Sequence, residues 1–333
     1  MDAASRREGR LILMLNTEMI GRASWGVAIA MASTFLGTQA QATEAAAGRY
    51  IPGAFAGPGA GIVPPIPGGY WAVSNIYYHG GASGDVPFGD GSIALGLKAD
   101  LWVTGLAGVY VPEIDLPGNW TYAVQGLLPV GWTRAKADVG PLEVIQEVGG
   151  IGDVAFAPVV LGWHSDSMDT WLSTSLTITA PTGVWTEGDI AFVGLNYWTF
   201  TPSVAFTRLV PEYGLDFSGN FGVDINTTNS DTDYYSGAVA HLDLSMTKNV
   251  TENFGVGILV GFLYQIQDDD STFANNRDDG FKGRSLAIGP LATYKAKFGE
   301  GKEIDLTLKW AHEIEVENRM KGNAFFFNLA GKF

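Results

Sequence analysis

The sequence predicts an all-β protein: a transmembrane antiparallel β-barrel of about twelve strands, with ten or fourteen also allowed, behind an irregular Pro/Gly-rich N-terminal segment. Three observations carry this. From residue 70 to the C-terminus apolar and polar side chains alternate with period two, which puts one kind on each face of a strand. No stretch after residue 42 holds the ~18 consecutive apolar residues of a membrane helix. The connections between alternating segments are by turns short and long, as in outer-membrane barrels with short periplasmic turns and longer external loops.

The N-terminus reads as an export signal. Arg6, Arg7, Arg10 and Arg22 precede an apolar run, Ala23 to Leu36, and small residues end in Ala40-Gln41-Ala42. A basic region, an apolar core and an A-x-A site predict a secretory signal peptide cleaved after Ala42, with Met19 as a second candidate start. Residues 43–69 are dense in Pro and Gly and have no periodicity, so they form a leader that is neither strand nor helix. Twelve strands enclose a lumen wider than that of an eight-stranded barrel and narrower than a porin channel. A peptide can block such a lumen, and the leader is the candidate plug, with Tyr50, Pro52, Pro64 and Pro65 as its candidate residues.

The barrel then spans residues 70–333. Alternating segments fall near 70–79, 92–110, 118–134, 151–163, 170–181, 195–208, 213–226, 234–247, 253–267, 283–298, 302–315 and 322–333. The clearest runs from Glu303 to Glu317: Ile304, Leu306, Leu308, Trp310, Ile314 and Val316 share one face, and Glu303, Asp305, Thr307, Lys309, Glu313, Glu315 and Glu317 the other. Charges are tolerated at membrane depth only in a wet interior, so the apolar set faces lipid and the polar set the lumen. Residues 135–150 read as a long external loop. Trp163 and Trp171 flank a short turn, where an interfacial aromatic girdle belongs. Pro202 and Pro290, inside predicted strands, remove ladder hydrogen bonds and mark candidate breaks in the wall. The final residues, AFFFNLAGKF, resemble the C-terminal signature read by the outer-membrane barrel assembly machinery. The expected partners are thus that machinery, the lipid bilayer and lipopolysaccharide, and the expected location is the bacterial outer membrane.

Composition closes several other classes. The chain has no Cys, which removes disulfides, thiolate metal sites and Cys nucleophiles. Its net charge of -15 argues against nucleic acid. With four His, no HExxH and no GxSxG motif, no cofactor, metal site or catalytic residue is expected. Asp268, Asp269 and Asp270, with Asp278 and Asp279, read as a solvated acidic loop rather than a Ca²⁺ site, because their spacing is not that of an EF-hand.

What remains is a lumen. His241 and Asp243, two apart on one strand, point the same way and could meet a polar group of a solute. Asp216, Asp305 and Lys309 belong to the same polar face, and Asn196 and Tyr197 follow a long loop as candidates for an external vestibule. These seven are the candidate lumen or solute-path residues. The leading expectation is a channel, not an enzyme. The alternatives are a structural or surface-interaction barrel with a closed lumen and, less favoured, a barrel phospholipase built on His241 with Ser236 or Ser245.

Several stretches carry a family resemblance: Tyr50-Ile51-Pro52-Gly53, Gly152-Asp153, Leu161-Gly162-Trp163, Asn196-Tyr197-Trp198-Thr199-Phe200-Thr201-Pro202, and Tyr235-Ser236-Gly237 followed by His241-Leu242-Asp243. The chain resembles, over essentially its whole mature length, the outer-membrane transporter-like proteins grouped under the meta-pathway of phenol degradation. The resemblance implies an outer-membrane barrel that carries small hydrophobic, often aromatic, compounds; the expected mechanism, passive or gated diffusion through the lumen, is read from the barrel and its leader. The resemblance transfers no site residues.

Overall fold

The computed structural model describes residues 48–82, 85–88, 91–94, 96–139, 142–271, 274–276, 280–298 and 302–333. The expected signal peptide and its cleavage point lie outside them. The described chain is almost wholly extended: β1 (Gly68–Ala82), β2 (Asp85–Phe88), β3 (Gly91–Ala94), β4 (Leu97–Val111), β5 (Trp120–Val139), β6 (Leu142–Ile151), β7 (Ala155–His164) and β8 (Thr170–Thr179) make the first half. β9 (Thr199–Val210), β10 (Leu215–Asn226), β11 (Val239–Asn249), β12 (Phe254–Gln265), β13 (Arg284–Phe298), β14 (Lys302–Glu317) and β15 (Lys321–Lys332) make the second.

β1, β4, β5 and β7 to β15 close a twelve-stranded antiparallel barrel. β1 is the closing strand, pairing with β15 from Tyr70↔Lys332 to Gly81↔Lys321 and with β4 from Gly68↔Val111 to Ala82↔Leu97. Closure is what hydrocarbon demands, since a sheet edge there leaves N–H and C=O groups without water or partner. β5 is longer than a membrane span needs. Its first half pairs with β7 and its second half with β6, so β6 and β7 act as one strand broken at Gly152-Asp153-Val154. β2 and β3 form a separate small hairpin.

The alternation is realised in three dimensions. On β10, Phe217, Phe221 and Ile225 face outward while Asp216, Ser218, Asn220, Asp224 and Asn226 are buried in the lumen. Trp102 and Val204, each 54% exposed, belong to a continuous outward apolar belt with Leu106, Phe206, Ile258, Leu308 and Phe325. Exposed hydrophobics of this number are unfavourable in water and favourable against lipid.

Several expectations need correction. Residues 135–139 and 142–150 are not a loop. Residues up to Val139 belong to β5, and 142–151 are β6, tied across by Arg134–Glu147 at 3.3 Å and by a Lys136–Glu143 ion pair. The charged side chains that read as a loop are cross-strand partners. The segment predicted from 195 becomes a strand only at Thr199, because Asn196 sits in the left-handed region (φ 59°). Glu315 and Glu317 do not face the lumen. A bulge opposite Leu286/Ala287 shifts the register, and both reach Arg284 on the outside at the strand end. Trp171 is no girdle residue either: it is buried, and its indole N–H donates to the Met168 carbonyl at 2.8 Å. Nor is the lumen face uniformly polar. Leu101, Val103 and Val109 of β4 and Tyr70 and Ile76 of β1 point inward, where leader residues pack on them in one apolar core.

Both prolines coincide with interruptions. The β9–β10 ladder runs from Leu215↔Val210 to Gly222↔Ser203, skips Thr201-Pro202, and resumes at Ile225↔Phe200. The β13–β14 ladder skips Gly289-Pro290 between Ile288↔His312 and Leu291↔Lys309. Outside the second gap lies an apolar groove of about 640 Å³, lined by Tyr77, Trp102, Pro290, Leu308, Trp310 and Phe325 among others.

The lipid-facing assignment is testable by charge. Val204→Arg, in the middle of an outward strand face, is expected to cost about 2–4 kcal/mol of stability in a bilayer, as a cation at mid-membrane does. Tyr213→Arg, at a short turn, should cost about 1 kcal/mol or less. Urea unfolding in liposomes measures both, and equal costs would contradict the assignment.

Candidate functional site

Residues 48–67 form no strand or helix and run through the barrel. A backbone of this kind leaves its N–H and C=O groups to be satisfied by something else, and here the lumen side chains do it. The tightest part is the turn Ile51–Ala56, closed by Ala54 N–H to the Ile51 carbonyl (3.0 Å) and by Ala56 N–H to the Gly53 carbonyl (3.3 Å), with Gly53 at φ 89°. Asp243 of β11 accepts the amides of Gly53 (2.8 Å) and Phe55 (2.7 Å) and the Tyr50 hydroxyl. Lys309 of β14, three strands round the wall, donates to the carbonyls of Gly53 (2.9 Å), Ala54 (2.8 Å) and Ala56 (2.7 Å). One charge takes the turn's donors and the other its acceptors. Charged hydrogen bonds are the stronger kind, and neither charge is left uncompensated.

The leader is pinned at both ends as well. Arg49 pairs with Asp153, at the β6/β7 break, and donates to Thr199 Oγ1 (2.9 Å) and the Tyr197 carbonyl. Asp153, fully buried, also accepts the amides of Gly183 (2.7 Å) and Leu195 (2.8 Å), so the loop 180–198 folds inward onto the same carboxylate. Toward the short turns, Gly59 donates to Asp216 (3.1 Å) and Ser218 (3.0 Å), and Gly61 to Thr207 (3.0 Å). The contact is too close for side chains at three points: a Cβ on Gly61 would lie 2.5 Å from the Phe206 backbone, one on Gly261 2.2 Å from Gly53 N, and one on Gly162 2.4 Å from Val63.

Of the candidate lumen residues, His241, Asp243, Lys309 and Asp216 therefore converge on the leader. His241 is buried and stacks on Tyr50, with ring centroids 4.4 Å apart at 15°; its Nε2 lies 3.7 Å from Asp224 Oδ1, and neither ring nitrogen has a hydrogen-bond partner among the described residues. Asp305 stands apart, paired with Lys295 at 3.1 Å. Tyr197 lies under the Arg49 guanidinium (4.8 Å to the ring centre), and Asn196 bridges to Asn229 and Asp231, both at 2.9 Å, in the next loop. Of the leader residues, Tyr50, Pro52 and Pro64 are buried and Pro65 is half-buried. Sequence reasoning missed Arg49, Asp153 and Thr199 as site residues; the hints were a lone cation in the described leader and the place of Asp153 and Thr199 in the stretches that carry the family resemblance.

The acidic cluster after β12 is not wholly solvated. Asp269 is buried, accepting from the Tyr234 hydroxyl (2.6 Å), the Gly237 amide (2.8 Å) and Gln265 (2.6 Å). Burial pushes its carboxyl up to about 7, against the opposing pull of those hydrogen bonds. Asp268 is exposed and pairs with Lys282 at 2.8 Å. Asp278 and Asp279 lie outside the described residues.

Among known families, the model described as "Putative MetA-pathway of phenol degradation" matches residues 82–329. Among solved structures, the chain is similar to the COG4313 outer membrane channel from Pseudomonas putida F1: TM-score 0.63, 18% identity, covering 80% of this chain and 97% of that one. It also aligns with a FadL homologue from Pseudomonas aeruginosa: TM-score 0.45, 11% identity, 93% of this chain and 97% of that one. No curated protein matches the chain.

Two predictions follow from this geometry. Lys309→Met leaves the Ala54 and Ala56 carbonyls without their donor and the Gly53 carbonyl with only the Ala56 N–H, at ~1–3 kcal/mol for each orphaned group that water cannot reach; hydrogen exchange of residues 51–56 should accelerate while the barrel strands stay protected. Asp269 holds its proton in the folded state up to about pH 7, whereas an unfolded Asp releases it near ~3.9. Its contribution is therefore fully present below pH ~4 and lost as pH rises through 7. Thermal melts should show that loss in the wild type and a smaller one in Asp269→Asn.

Proposed function

We propose that this chain, which belongs to the MetA-pathway of phenol degradation family, is an outer-membrane channel for small hydrophobic or aromatic compounds, gated by its own leader. The observation that carries the reading is the docking of residues 49–61 on Asp243, Lys309, Asp216 and Asp153. A closed barrel needs no peptide inside it to satisfy its wall. A segment held by separable hydrogen bonds rather than by ladder pairing is suited to moving aside. The short-turn end faces the periplasm and the long loops face out, in keeping with bacterial barrels. A solute entering among the long loops meets the apolar inner faces of β1 and β4. It leaves at the short-turn end or sideways, where the ladder gap at Pro290 meets the apolar groove.

The filled lumen also suits a structural barrel that passes nothing, and conductance separates the two. Deleting residues 49–61 is expected to raise single-channel conductance in planar bilayers severalfold and to raise uptake of an aromatic growth substrate. If both stay at the wild-type level, the leader is no gate. If neither protein conducts or takes up solute, the structural reading replaces the channel.

A further inference from the structure

We propose that Asp243 and His241 form a phenol-binding site which the chain's own Tyr50 occupies, and that a phenolic solute opens the lumen by taking Tyr50's place. This inference rests on the channel reading and names the solute class that the site selects.

The side chain of Tyr50 is a 4-alkylphenol, and the site around it is specific for one. Its hydroxyl donates to the Asp243 carboxylate. One ring face lies on the His241 imidazole at 4.4 Å, and while the leader is docked its own Phe55 ring covers both, 5.5 Å from Tyr50 and 5.1 Å from His241. Two glycines let the site's parts come together: a Cβ on Gly222 would lie 2.4 Å from His241 Cε1, and one on Gly261 2.2 Å from the Gly53 nitrogen of the leader turn. A carboxylate acceptor at the end of an aromatic slot recognises a ring bearing O–H and disfavours the same ring without it, because the buried acceptor then loses its donor. His241 has polar capacity to spare, since both ring nitrogens lack hydrogen-bond partners among the described residues although the side chain is 1% exposed.

Two other tyrosines meet buried carboxylates, Tyr78 on Glu313 (2.8 Å) and Tyr234 on Asp269 (2.6 Å). Tyr78 is locked in the closing strand β1, paired on both sides, and Tyr234 is tied to Asn229 by an isolated bridge. Tyr50 alone of the three sits on a segment with no ladder pairing. Its carboxylate is also the one that holds the Gly53 and Phe55 amides. A phenol from solution that binds Asp243 therefore competes with the hydroxyl and the leader turn together. A ligand that binds only the leader-released state shifts the population toward that state.

The test uses the full-length protein in detergent, with p-cresol, which reproduces the tyrosine side chain, and toluene, which lacks only the hydroxyl. In the wild type p-cresol should accelerate hydrogen exchange of Gly53 and Phe55, and toluene should need a roughly tenfold or higher concentration for the same effect, the factor expected for one hydrogen bond to a charged acceptor. In Tyr50→Ala, where the competitor is gone, half-saturation by p-cresol should fall about tenfold or more below the wild type, with the preference over toluene kept. Equal potency of the two ligands, or no response to p-cresol, overturns the proposal. If Tyr50→Ala does not assemble, the wild-type comparison decides alone. Liposome flux separates the two readings. Aromatic passage with no p-cresol effect on exchange leaves the channel standing and removes the phenol site; p-cresol binding without passage of any solute does the reverse.

Discussion

Every backbone group that faces hydrocarbon must find its partner within the chain, and the molecule follows from that constraint. It requires the ring to close, so β1 is paired along nearly its whole length on both sides. It sends large apolar side chains outward on strand after strand and leaves the inner positions free for other uses. It also makes the ladder interruptions at Pro158, Pro202 and Pro290 notable, since each removes pairing from the wall.

The leader solves the same problem in the opposite way. Its backbone has no ladder, and side chains of the wall satisfy it: a carboxylate for its donors, an ammonium for its acceptors, and an arginine–aspartate pair at its head. Removing either charge of the Asp243–Lys309 set would expose the other to an apolar core, so the arrangement is stable only while complete. An assembly that holds together as a set can also come apart as a set. That couples one binding event on Asp243 to the position of the whole segment.

Inside the barrel, two environments lie side by side. The inner faces of β1 and β4 with the leader's aliphatic residues make a packed apolar core, whereas β10, β11 and β14 present Asp, His and Lys. A solute with an aromatic body and one polar substituent matches that division better than an ion or a sugar would.

The sequence by itself determined the wall. Period-two alternation is a property of neighbouring residues, so the strands of 172–180, 214–226 and 303–313 were legible locally, along with the sides on which Phe217, Asp216, Leu308 and Lys309 stand. The sorting of loop lengths and the Pro/Gly density of the leader were equally local. What only the tertiary structure decided is pairing across the chain: Arg49 with Asp153, the Tyr50–Asp243 hydrogen bond, Lys309 on Gly53, and the completion of β5 by β6 where charged side chains read as loop. These partners are about a hundred to 250 residues apart or hidden by composition. No periodicity records them, because they exist only once the ring has closed and the leader has been laid along its inner wall.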